Sequence, residues 1–166
     1  MLNVFQKKDK DLINLYGYVF QLNSPRKHEL GKVVKIEKEN NLLFLRFIDG
    51  ERVLFKEKES STLNVKLMKL EEIASLIFTL TRMNVGNFYI NLSESNDKFA
   101  KIGVVTSEEN GILEVTYPDL STVKYISKDL QYTNRIGNFL EPAVLCSGRQ
   151  LPTVLESLLN HFELKV

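Results

Sequence analysis

The sequence predicts an α+β protein built of two similar β-β-β-β-α units. Two antiparallel four-stranded sheets would pack with helices, and a further helix would close the C-terminus. Three observations lead there. In the first half, only "LMKLEEIASLIFTL", residues 67–80, carries clear helical periodicity, and strand-like alternation lies on both sides of it. Hairpin signals separate the alternating segments, Asp49-Gly50 being the strongest. The same order of alternating segments and then a helical one recurs after Gly86. The units are expected at about residues 12–85 and 86–146 of a single domain, with the last helix at about 151–164.

Residues 12–22, "LINLYGYVFQL", are rich in aromatic and β-branched side chains. At period two, Tyr16, Tyr18, Phe20 and Leu22 share a face. "NSPRKHE" follows as a loop. Residues 31–58 alternate and turn at Asn40-Asn41 and at Asp49-Gly50, which gives three strands. Residues 61–67 form a short strand leading into the helix. There Leu70, Ile73, Ala74, Ile77 and Leu80 make an apolar stripe for the first sheet to cover. Glu71 and Glu72 in the first turn and Arg82 near the end suit the helix dipole, and Gly86 is expected to stop it.

The second half offers strands at 87–94, 98–108, 112–117 and 122–126. A helical segment is expected from about Ser127, with Leu130, Ile136, Phe139 and Leu140 as its apolar members and Pro142 interrupting it. Residues 151–165 read as a final helix opened by Pro152. Its stripe of Val154, Leu155, Leu158, Leu159 and Phe162 would pack on its own sheet or on a neighbouring subunit.

The chain of 166 residues is 43% hydrophobic, enough for a core without staples. Lys and Arg total 22 against 21 Asp and Glu, for a net charge of +1. That balance argues against a histone-like protein that binds by charge alone. Ten Phe and six Tyr leave open single-strand binding, in which bases stack on aromatics. The single Cys146 has no disulfide partner and reads as a small buried hydrophobe. No secretory or transit signal opens the chain, and no apolar run reaches membrane-span length. A cytoplasmic or nucleoid-associated location, or a virus-infected host cell, is the expectation.

Nothing in the sequence has the form of a catalytic, cofactor or metal site. His28 and His161 lack ligand spacing, and no nucleophile-elbow, P-loop or dinucleotide motif occurs. Pro118-Asp119 could suggest a nuclease, but no Glu-x-Lys follows in the next strand, and "YPDLS" reads as a turn. Glu71-Glu72 and Glu108-Glu109 are adjacent pairs explained by a helix start and a hairpin turn.

"NVKLMKLEEIASLIFTL" at 64–80 is similar to the strand-into-helix segment of the Whirly family of single-stranded DNA-binding proteins. "NNLLFLRFIDG" at 40–50 resembles its Leu-rich hairpin strand, and "FLEPAVL" at 139–145 its Phe-x-x-Pro-aliphatic stretch in the last helical region. The order also looks like that of the guide-RNA-binding proteins of kinetoplastid mitochondria. Where the plant members have Lys-Gly-Lys, "LYGYVFQ" puts Tyr16 and Tyr18, and the family's Trp residues are absent. These departures favour a microbial or viral relative. The resemblance implies the duplicated fold, single-stranded DNA as partner, and a homo-oligomer, tetrameric in the plant members.

The expected function is therefore non-catalytic binding of single-stranded DNA, in replication, recombination, repair or transcription. RNA binding on the same fold, or a protein assembly module without nucleic-acid activity, are the alternatives. Candidate contacts are Tyr16, Tyr18 and Phe20 on the first strand, and Phe44 and Arg46 on the third. Lys32, Lys35, Tyr89, Phe99 and Lys101 complete the set. Aromatics beside Lys or Arg on a sheet face can stack bases and neutralise phosphates. Against this, Phe20, Phe44 and Phe99 also fit a core, and each cation also fits a solvated surface.

Overall fold

A computed structural model describes residues 15–37, 39–40, 42–56, 64–126 and 143–160. Within them lie β1 (Tyr16–Val19), β2 (Leu30–Glu37), β3 (Leu42–Arg46), β4 (Arg52–Lys56) and β5 (Val65–Met68). A 3-10 turn (Leu70–Glu72) and helix α1 (Ile73–Thr81) follow. Then come β6 (Phe88–Asn91), β7 (Ile102–Glu109), β8 (Ile112–Thr116), β9 (Thr122–Ile126), β10 (Ala143–Cys146) and helix α2 (Leu151–Asn160). No helix among the described residues is long and apolar enough to cross a membrane.

The strands form two antiparallel sheets, ordered β4-β3-β2-β1-β5 and β10-β6-β7-β8-β9. Among the described residues each has five strands where a β-β-β-β-α unit implies four; in the first sheet the fifth is the strand expected over 61–67. In each, the last strand folds back onto the first: β5 pairs β1, and β10 pairs β6. The two sheets share one pairing order. Tyr16 and Leu30 open β1 and β2, and Phe88 and Ile102, 72 residues later, open β6 and β7. A bulge interrupts β2 between Val33 and Lys35 and β7 between Val105 and Ser107, at the same spacing.

The chain divides into two compact units, Met1–Leu70 with Leu159–Val166, and Glu71–Leu158. The first buries Val19, Leu43, Leu45, Phe47 and Phe55 on one face of its sheet, backed by Val33, Ile36, Val53, Val65 and Leu67. The second buries Tyr89, Val115, Tyr117 and Ala143, backed by Val105, Val123, Tyr125 and Leu145. Alternate residues of each strand point to one face, so the intervening residues form a second face.

Turn chemistry sets the registers. After β3, Gly50 adopts φ 86°, its N–H bonds the Phe47 carbonyl at 2.9 Å, and Asp49 Oδ1 accepts the Glu51 N–H at 3.0 Å. The β8–β9 turn repeats this: the Leu120 N–H bonds the Tyr117 carbonyl at 2.8 Å, and Asp119 Oδ1 accepts the Ser121 N–H at 3.0 Å. In β7, a Cβ on Gly103 would lie 2.5 Å from Val115 Cγ1, so the sheet closes tightly only over glycine there.

Several expectations change. The strand expected over 61–67 appears as β5, with Leu67 and Met68 paired to Gly17 and Tyr16, and the helix expected over 67–80 begins only at Ile73, after the 3-10 turn. It ends at Thr81 rather than at Gly86. Arg82 turns left-handed at φ 59°, its N–H reaching the Thr79 carbonyl and that of Met83 the Phe78 carbonyl, a Schellman ending. The helix belongs to the second unit, where it packs on β7 and sets Phe78 against Phe88, ring centroids 4.9 Å apart. Ala143–Leu145, expected in a helical region, lies in the four-residue edge strand β10, which pairs antiparallel with β6. Residues 12–14, 61–63, Ser127, Leu130, Ile136, Phe139, Leu140, Pro142, His161 and Phe162 lie outside the described residues.

Candidate nucleic-acid interface

The outer face of the first sheet, opposite its apolar core, follows from the registers. Phe44 pairs with Lys35 on one side and Leu54 on the other. Arg46 pairs with Lys32 and Arg52, and Leu42 with Glu37 and Lys56. Cross-strand partners share a face, so these residues form one surface. Lys32 also pairs with Tyr16, extending the surface to β1.

The β1 side of this face is occupied. Tyr16 is buried, and Tyr18 is fully buried, its hydroxyl sharing a 3.2 Å hydrogen bond with His28 Nδ1. The Tyr18 ring lies 4.9 Å from that of Phe20, which is half-buried just beyond β1. Arg46 is buried and donates from one Nη to the Leu159 carbonyl at 3.0 Å; Lys32 Nζ donates to Asn160 Oδ1 at 2.9 Å. Both cations thus serve the C-terminus of α2, where the helix dipole favours positive charge.

The β4 side is open. The Lys35 side chain is 62% exposed, with its Nζ 5.6 Å from the Phe44 ring centroid and 2.9 Å from Glu37 Oε1. That hydrogen bond and charge from Lys35 hold the Glu37 carboxyl below its ordinary pKa. Phe44 and Leu42 are half-buried, and Leu54 is 48% exposed. Arg52 and Lys56 are exposed at the two ends of β4. The result is a small apolar surface of Phe44, Leu42 and Leu54, flanked by three cations and one acid.

Of the ten residues singled out from sequence, Lys35 and Phe44 stand together on this open surface. Lys32, Arg46 and Tyr16 share its covered side, and Tyr18 and Phe20 cluster with His28. Three belong to the second unit. Tyr89 is buried in its core, stacked on Tyr125 at 4.6 Å, and burial pushes its phenol pKa up. Phe99 and Lys101 fall in the loop before β7 rather than in the strand expected over 98–108, and both are half-buried. Lys101 Nζ donates to the Asp97 carbonyl at 3.4 Å.

Sequence reasoning missed Arg52, Leu54 and Lys56. Their signal was present, since "RVLFK" alternates and Asp49-Gly50 folds it back onto β3. Asp119, weighed in the nuclease motif, accepts from Lys98 Nζ at 2.9 Å and from the Ser121 hydroxyl, which makes it a turn residue. No protein-family model matches the chain, and no curated protein matches its sequence.

Proposed function

We propose that this chain binds single-stranded nucleic acid without chemistry, through the outer face of β2, β3 and β4. The observation that carries the reading is the half-buried Phe44 beside exposed Leu54, with Lys35, Arg52 and Lys56 around them. An aromatic ring supplies a stacking platform, and the cations neutralise phosphates. A duplex keeps its bases stacked inside and offers only phosphates to such a surface. The resemblance to the Whirly family favours DNA over RNA, and its members' assembly supports a homo-oligomer that aligns several sites.

Fluorescence anisotropy tests this, with labelled oligo-dT, oligo-U and a duplex of equal length at low salt. Oligo-dT should bind more tightly than duplex. Phe44→Ala should weaken it by about 1–3 kcal/mol, the value of one stacked base. Absence of single-strand binding at low salt would sink the proposal and favour a protein assembly module using the same apolar surface.

A further inference from the structure

We infer that the strand-binding surface is confined to the first of the two repeated sheets. It takes one single-stranded segment per chain, about four nucleotides long, with one base on Phe44. The inference rests on the binding function and face proposed above and adds the confinement to one sheet, the size and the stoichiometry of the site.

The repetition of the fold makes the comparison direct. In the first sheet, Lys35 pairs with Phe44, and Phe44 with Leu54. In the second, each just past the matching bulge, Ser107 pairs with Glu114, and Glu114 with Lys124. Arg52 pairs with Arg46 at the end of one hairpin; Thr122 pairs with Thr116 at the end of the other. The second copy therefore keeps the backbone platform but has no ring at its centre, and Ser107, Lys124 and Thr122 stand where the first has Lys35, Leu54 and Arg52. Its centre is a carboxylate, Glu114, which repels a phosphate and offers no flat apolar face for a base.

Size follows from strand geometry. Arg52 and Lys56 are four residues apart on one strand, about 13 Å at the usual rise. Stacked nucleotides advance by about 3.4 Å each, so that length spans about four of them. Lys35 lies two strands from β4, about 10 Å across the sheet. In the free chain its ammonium sits over Phe44, where an incoming base would displace it toward a phosphate. Three cations predict a salt slope of about −2 for a single strand.

Stoichiometric titration of an eight-residue oligo-dT, read by native mass spectrometry and anisotropy, tests the inference. The wild-type chain should bind one strand per protomer, with log affinity falling at a slope of about −2 in log salt. Phe44→Glu with Lys35→Ser, which writes the second repeat's residues into the first, should weaken binding about tenfold or more. Phe44→Ala alone should do so without adding charge, and thermal melting reports whether either variant is folded. Glu114→Phe with Ser107→Lys should create a second equivalent of binding. Two strands per wild-type protomer would overturn the inference and leave the binding function standing; wild-type affinity in folded Phe44→Ala and Phe44→Glu/Lys35→Ser chains would overturn the inference and move single-strand binding off the face of β2, β3 and β4. No oligo-dT binding by the wild-type chain overturns the binding function and the inference with it.

Discussion

Arg26 and Lys98 perform one task in two places. Arg26 lies 4.8 Å over the Phe47 ring, donates to Asp49 Oδ2 at 2.6 Å and Glu29 Oε1 at 3.2 Å, and also reaches Glu51. Lys98 lies 5.2 Å over the Tyr117 ring and donates to Asp119 Oδ2 at 2.9 Å and to the Ser121 hydroxyl at 2.7 Å. Each ties the loop before β2 or β7 to the hairpin turn after β3 or β8. In sequence the two segments share no motif, "SPRKHE" against "SNDKFAK", so the shared role was illegible. Only the fold shows that both cations meet an aspartate-led turn. Burial pushes the Asp119 pKa up, but bonds from Ser121 and Lys98 outweigh it and hold the carboxyl well below the usual range. A carboxyl depressed in the folded state adds stability above its unfolded pKa of about 3.9, and that stability fades as pH falls toward the folded value. Asp119→Asn should therefore lower the urea midpoint at pH 7, and the gap from wild type should narrow by pH 2.5. Since Asp119 is 43% exposed, solvent screening limits the effect at pH 7 to about 1 kcal/mol. Cys146, read from sequence as a buried hydrophobe, is buried, and burial pushes its thiol up to about 12. A disulfide reagent at pH 8 should label it only after denaturant is added.

At the scale of elements, legibility tracked how local the cause was. The three-strand run of 31–58 follows alternation and turn residues within a few positions, and β2, β3 and β4 appear where expected. The start of α1 and the identity of β10 depend on distant partners. Leu67 lies where a strand and a helix reading overlap and Met68 fits the helix on periodicity, yet both complete a sheet by pairing with β1, about fifty residues earlier. The candidate surface divided in the same way. Lys35 and Phe44 belong to the locally determined hairpin and reach the open face. Tyr16, Lys32 and Arg46 lie on that face too, but the end of α2 meets it, and periodicity cannot show what covers a strand face. Two outcomes follow at this scale. Arg52→Ala with Lys56→Ala should make the salt slope shallower by about 1.4, the share of two phosphate contacts, and should leave the melting temperature nearly unchanged. Gly103→Ala should cost about 1–3 kcal/mol in chemical denaturation, because its Cβ would press on Val115 Cγ1 and, at 3.1 Å, on the Thr116 carbonyl.

For the whole molecule, the open question in the sequence was where the last apolar stripe packs. Its periodicity fits the chain's own fold and a neighbouring subunit equally. In the single chain Leu151, Leu155 and Leu159 are fully buried, and Val154 and Leu158 nearly so. Burying a side chain of this kind stabilises by about 1.5–3 kcal/mol, so five of them together contribute roughly 10 kcal/mol as an upper estimate. That is comparable with the entire net stability of an ordinary domain. The helix end has a second role, since the Leu159 carbonyl accepts from the buried Arg46 and Asn160 Oδ1 from Lys32. Without it the buried Arg46 loses its bond to the Leu159 carbonyl, which adds to the lost burial. Removal of residues 151–166 should therefore abolish the cooperative thermal transition, measured by circular dichroism at two protein concentrations. Leu155→Ala should lower stability by about 2–5 kcal/mol, with a midpoint that does not depend on protein concentration. A truncated chain that melts like the full-length protein while showing a smaller size in solution would assign the stripe to a subunit interface. A concentration-dependent midpoint for Leu155→Ala would point the same way, since only an assembly links that residue's packing to protomer concentration.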